Sequence, residues 1–136
     1  MITETIESRE AALSGRLGFL NTGTGAHAHV QIYGGTRPAN ASDAPGTPLL
    51  VAIPLANPAG AVAGGVLTLA PHDTGLIMET GAPTWARVVN RNGATVCDMN
   101  AGIAGSRPGG TNPECVLSTT PLFAGGQVSI TAAVLG

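Results

Sequence analysis

The stretch "PTWARVVNRNGATVCDM", residues 83–99, decides the fold class. Two runs rich in β-branched and aromatic residues flank Asn92-Gly93, the pair preferred in a two-residue type I′ hairpin turn. Such a turn sets the register. Arg91 faces Ala94, Val89 faces Val96, Val88 faces Cys97, and Arg87 faces Asp98. The last is an opposite-charge cross-strand pair contributing about 0.2–1 kcal/mol. Alternation places Trp85, Arg87, Val89, Val96 and Asp98 on one face, and Ala86, Val88, Cys97 and Met99 on the other, which makes Cys97 interior.

Upstream, residues 26–33 alternate strictly. Ala26, Ala28, Val30 and Ile32 point one way, and His27, His29, Gln31 and Tyr33 the other. A long Pro/Gly/Asn/Asp loop follows at residues 34–48, then the short apolar run "LLVAI" closed by Pro54. "ANPAGAVAGG" reads as a second flexible stretch leading into a strand at residues 66–70, and residues 75–80 as a further short strand. Downstream lies the Gly/Pro-rich loop "NAGIAGSRPGGTNPE". Last strands at residues 115–119 and 127–135 are joined by "TPLFAGG". Short strands between turn clusters predict a mainly β chain, a jelly-roll-like antiparallel β-sandwich.

The N-terminal segment has a different period. Ile2, Ile6, Leu13, Leu17 and Leu20 fall within about 60° at roughly 100° per residue, the stripe of an amphipathic helix. Glu4, Glu7 and Glu10 suit its positive end, and Thr3 or Thr5 can cap it. Gly15 and Gly18 weaken its far end, and "NTGTG" stops it. The expected organisation is a helix and linker over residues 1–24 and a β-sandwich over residues 25–136, in a single domain. The stripe fits docking on the chain's own sheet, on a partner or on a second copy.

The chain has 136 residues, which suffices to bury about two-thirds of the unfolded surface. Charged residues make up only 10%, against about 25% in an ordinary domain, so the surface is weakly defended against association. All six basic residues are arginine, and the net charge is −2. Arg37, Arg87, Arg91 and Arg107 are scattered, with no basic run and few aromatic residues, so nucleic-acid binding is not expected. No apolar run approaches the roughly 20 residues of a membrane span. The acidic N-terminal segment does not read as a signal peptide. The expected compartment is a bacterial cytoplasm or a particle assembled there. Cys97 and Cys115 are either two buried thiols or a disulfide.

His27 and His29, alternate on one strand, sit about 6–7 Å apart and would bracket a metal. A cupin site begins with such a His-x-His pair but continues with a carboxylate, and here "VQIYGG" follows. His72 and Asp73 would have to complete the set. The expectation is two exposed strand histidines, with no metal and no cofactor. Nucleophile elbows, P-loops and paired carboxylates are also missing, so no enzyme activity is expected.

The order of the remaining motifs carries a resemblance. A strand ending "IYGGTRPA" (residues 32–39) is followed by "GTPLL" (46–50), then "TWARVVNRNG" (84–93), then "FAGGQV" (123–128). This is similar to a family of small structural proteins of tailed bacteriophages, over nearly the whole chain. The histidines, the loop after Asp98 and Cys115 depart from the family pattern. The resemblance implies a virion protein on the capsid exterior, a cement or decoration protein bridging subunits of the major capsid protein. A tail, neck or fibre-associated adaptor is the alternative. A homodimer is the expected assembly, isologous dimers being commonest. Ile6, Leu13, Leu17, Arg37 and Arg107 are the candidate contact residues.

Overall fold

A computed structural model describes residues 3–135 and is mainly β with one helix. Helix α1 spans Ile6–Leu20. Nine strands follow: β1 His29–Tyr33, β2 Leu49–Ala63, β3 Val66–Pro71, β4 Gly75–Leu76, β5 Trp85–Val89, β6 Thr95–Gly102, β7 Cys115–Leu117, β8 Gln127–Val128 and β9 Ile130–Leu135. Ile2, the first residue of the predicted stripe, lies outside the described residues.

Seven strands close into a barrel in the order β1-β2-β3-β9-β7-β6-β5, instead of the expected jelly-roll sandwich. The cause is β2. Its first part pairs with β1 up to Pro54. After an irregularity between Leu55 and Gly60 it pairs with β3. A bulge bends a strand and increases its twist, so one strand turns the corner between what would have been two layers. Pro54 does not end the strand, because the ladder continues past it. Leu55 N–H donates to Ala28 O at 2.8 Å, and Pro54 O accepts from His72 N–H at 2.9 Å. Pro58 falls in the unpaired stretch, where a missing N–H costs nothing. The supposed flexible stretch is the second half of β2. It turns into β3 through Gly64 and Gly65, both at positive φ, as a tight two-residue hairpin requires.

Inside the barrel, Val30, Ile32, Val51, Ile53, Leu67 and Val88 are fully buried. Each contributes about 1.5–3 kcal/mol relative to exposure. Ala26, expected on this face, is exposed.

Thr5 caps α1, its side chain accepting from Ser8 N–H at 3.1 Å. Leu13 and Leu20 are buried and Leu17 packs against the same core. Both ends of the helix are tied to hairpin turns. Gly65 N–H donates to Glu10 Oε1 at 3.1 Å. At the other end, Arg91 Nε donates to Gly25 O at 2.6 Å and its Nη1 to Asn21 O at 3.3 Å. The helix therefore docks on its own barrel: Leu13, expected as a partner contact, is a core residue, and Leu17 is partly buried against that core.

The β5–β6 hairpin keeps the predicted register only in its far half. Arg87 pairs with Asp98 and Val88 with Cys97, but Val89 pairs with Thr95. Asn92 does not adopt positive φ; Gly93 does, at φ 82°. The loop is thus a type I turn, Gly93 N–H donating to Asn90 O at 2.9 Å, followed by a left-handed glycine. It holds one residue more than a type I′ loop, and a register shift beside Val96 compensates. Asn90, only 3% exposed, organises the turn: its Oδ1 accepts from Asn92 and Ala94 N–H, and its Nδ2 donates to Phe19 O.

Candidate functional site

A polar cluster lies on the outer face of β1, β5 and β6, beneath the loop of residues 34–48. Tyr33 and Trp85 are cross-strand partners, and their rings stack at 4.5 Å. Arg87, next on the same face, lies 5.5 Å over the Trp85 ring and pairs with Asp98 through Nε–Oδ1 at 2.7 Å and Nη2–Oδ2 at 3.0 Å. The loop closes over them: Trp85 Nε1 donates to Gly34 O, Arg87 Nη1 to Asp43 O, and Thr84 Oγ1 to Gly35 O. Both members of the ion pair have side chains 6% exposed. The hydrogen bond to Asp98 holds the Arg87 pKa above its ordinary value, and burial raises that of the Tyr33 phenol. These bonds clamp the loop of residues 34–48 onto the outer face of the barrel.

All three histidines come near the start of β1. His27 Nδ1 donates to Leu55 O at 2.8 Å, and its ring stacks on His72 at 4.4 Å and 23°. Burial, and then the neighbouring His27, lower the pKa of His29. Near-parallel rings do not aim their in-plane nitrogens at one point. Among the described residues no three His, Cys, Asp or Glu side chains form a metal-ligand set, and the Asp73 carboxylate accepts from Thr74 N–H.

Cys97 and Cys115 are free thiols. Cys115 sits beside Ala101, four residues along β6 from Cys97, or about 13 Å, beyond the reach of a disulfide. Burial pushes Cys97 up to about 11 and Cys115 up to about 12, which keeps both protonated at neutral pH.

The other candidate contacts are surface residues. Ile6 is 59% exposed, and Arg37 and Arg107 are exposed, Arg107 immediately before a 3-10 turn at Pro108–Gly110. Arg37 borders a groove of about 560 Å³ that runs between Pro38, Ala39 and Ala41 on one side and residues 96–98 on the other. The structure does not bring Ile6, Arg37 and Arg107 together with Leu13 and Leu17 as one surface.

One exposed patch escaped the sequence reading. β4 and β8 form a two-stranded ribbon whose register runs on to a bridge between Gly81 and Leu122. Alternation turns Ile77, Leu122 and Val128 into the core. Leu76, Met78 and Phe123 point outward at 61%, 53% and 63% exposure. Strands of two residues are too short for their period to be read. No helix among the described residues is long and apolar enough to cross a membrane. Comparison with protein-family models, with characterised proteins and with solved structures found no match.

Proposed function

We propose that the chain is a non-enzymatic structural protein of a tailed-phage particle, placed on the exterior of the head, where it bridges major capsid subunits and resists the outward pressure of packaged DNA. The observation that carries this reading is the order of the motifs over residues 32–39, 46–50, 84–93 and 123–128. Packing gives that order a physical sense: Tyr33 of the first motif stacks on Trp85 of the third, and the loop between the first and second is clamped by Arg87. This packing supports reading the motifs as parts of one scaffold.

Two surface properties support a lattice role. The chain is poor in charge, and the outer face of the β4–β8 ribbon presents three large apolar side chains, as contact sites do. Many weak contacts on a repeating lattice add by multivalency, particularly from a homodimer that engages two subunits.

The test is the copy number of the protein in purified particles, measured by quantitative mass spectrometry against the major capsid protein. A ratio near that of the capsid subunit is expected. A ratio lower by about an order of magnitude moves the protein to the neck or tail as an adaptor. Absence from the particle overturns the virion reading and returns attention to His27 and His29.

A further inference from the structure

The partners of β6 are unequal. β5 pairs along it from Thr95 to Asn100, whereas β7 reaches only Ala101 and Gly102. The N–H of Ala101 donates to Thr84 O at 3.1 Å. Along a strand, successive residues turn their N–H and C=O to opposite edges. Cys97, Met99 and Ala101 therefore address β5, and the N–H and C=O of Asp98 and the N–H of Asn100 point away from it. No hydrogen bond reaches these three groups among the described residues.

Exposure agrees. The Asp98 side chain is 6% exposed, yet the residue as a whole is only half-buried, so what water reaches is its main chain. The groove bordered by Arg37 lies alongside, touching Val96, Cys97 and Asp98 in succession. The Asp98 carboxylate is held through both oxygens by Arg87. Arg37 lines the groove and has no ion-pair partner among the described residues.

We propose that this groove is a strand-addition site: it takes an extended peptide segment that pairs its backbone with Asp98 and Asn100 and sets a carboxylate side chain against Arg37. Main-chain hydrogen bonds supply affinity in this mode, and side-chain complementarity supplies selectivity. The small Pro38, Ala39 and Ala41 leave room for the peptide's alternate side chains. The Arg87–Asp98 pair holds the edge in place before binding, which lowers the ordering cost. Residues 96–100 span about 13 Å, so the recognised core is about five residues long. The inference holds wherever the protein resides and does not depend on the virion reading.

The test is an NMR titration of the ¹⁵N-labelled protein with two end-capped heptapeptides, Thr-Val-Thr-Glu-Thr-Val-Thr and the same peptide with Lys in place of Glu. Saturable shifts centred on the Asp98 and Asn100 amides are expected with the Glu peptide, with at least tenfold weaker binding of the Lys peptide. Arg37→Glu, at an exposed position, should reverse that preference. Lack of saturable shifts at millimolar peptide overturns the proposal, as do equal affinities or shifts centred elsewhere. Concentration-dependent protection of the Asp98 amide without peptide would show a second copy as the occupant, and also overturns it.

Discussion

Arg87 and Asp98 face one another across β5 and β6 as a bidentate ion pair that is closed to water on the outside of the barrel. A loop more than forty residues earlier in the chain supplies the lid, through the carbonyl of Asp43. Removing one partner strands the other. Asp98→Ala is expected to cost about 3–5 kcal/mol by urea denaturation, since it leaves a buried guanidinium unpaired. The double variant Arg87→Met/Asp98→Leu should lose less than Asp98→Ala alone. A loss below about 1 kcal/mol for Asp98→Ala would show the pair to be solvated.

The docking of α1 predicts an asymmetry along its stripe. Leu20→Ala removes a fully buried side chain and should cost about 2–5 kcal/mol. Ile6→Ser, at a mostly exposed position, should stay within about 0.5 kcal/mol of the parent. Equal effects at the two positions would place the helix elsewhere.

The cysteines predict a loss of stability in alkali. Unfolded thiols ionise near 9, whereas the folded pKa values lie at about 11 and about 12. Above pH 9 the unfolded state binds fewer protons than the folded state, so stability falls with rising pH. The slope approaches about 1.4 kcal/mol per pH unit for each thiol, until the folded pKa is reached. Cys97→Ala and Cys115→Ala should each flatten the decline in urea titrations between pH 8.5 and 10.5. A parent whose stability does not change over this range would mean that the thiols are accessible.

His29 predicts the opposite sign in acid. Its folded pKa is depressed, so below the ordinary 6.5 the unfolded chain takes up a proton that the folded one resists. The stability it contributes is complete above that value and is lost as pH falls toward the folded pKa. Melting temperatures measured from pH 7.5 to 4.5 should fall more steeply for the parent than for His29→Gln. Parallel curves would refute the effect.

What could be read in the sequence followed from local chemistry. Helix α1, its Thr5 cap and the Arg87–Asp98 pairing depend on neighbours along the chain or just across a turn. The errors arose where a side chain captures backbone groups or where distant segments decide. Asn92-Gly93 fits a type I′ turn by preference. The buried Asn90 instead collects two turn amides and selects the longer loop, at the expense of the Val89–Val96 pairing. Pro54 is tolerated because its neighbours' groups find partners on other segments. Nothing in the local pattern of Tyr33 shows that a loop will bury it on the polar side of its strand, nor that Leu76 and Phe123 will share a ribbon.

The tie between Arg91 and Gly25 spans 66 residues of chain. During synthesis α1 leaves the ribosome well before the turn that receives its C-terminal end. At about 5–20 residues per second it waits roughly 3–13 s with its leucines uncovered. Fifteen residues are too few to hold a stable helix in isolation. The segment therefore becomes a helix late, when the barrel offers it a seat, and the barrel itself is built from distant pairings that close slowly.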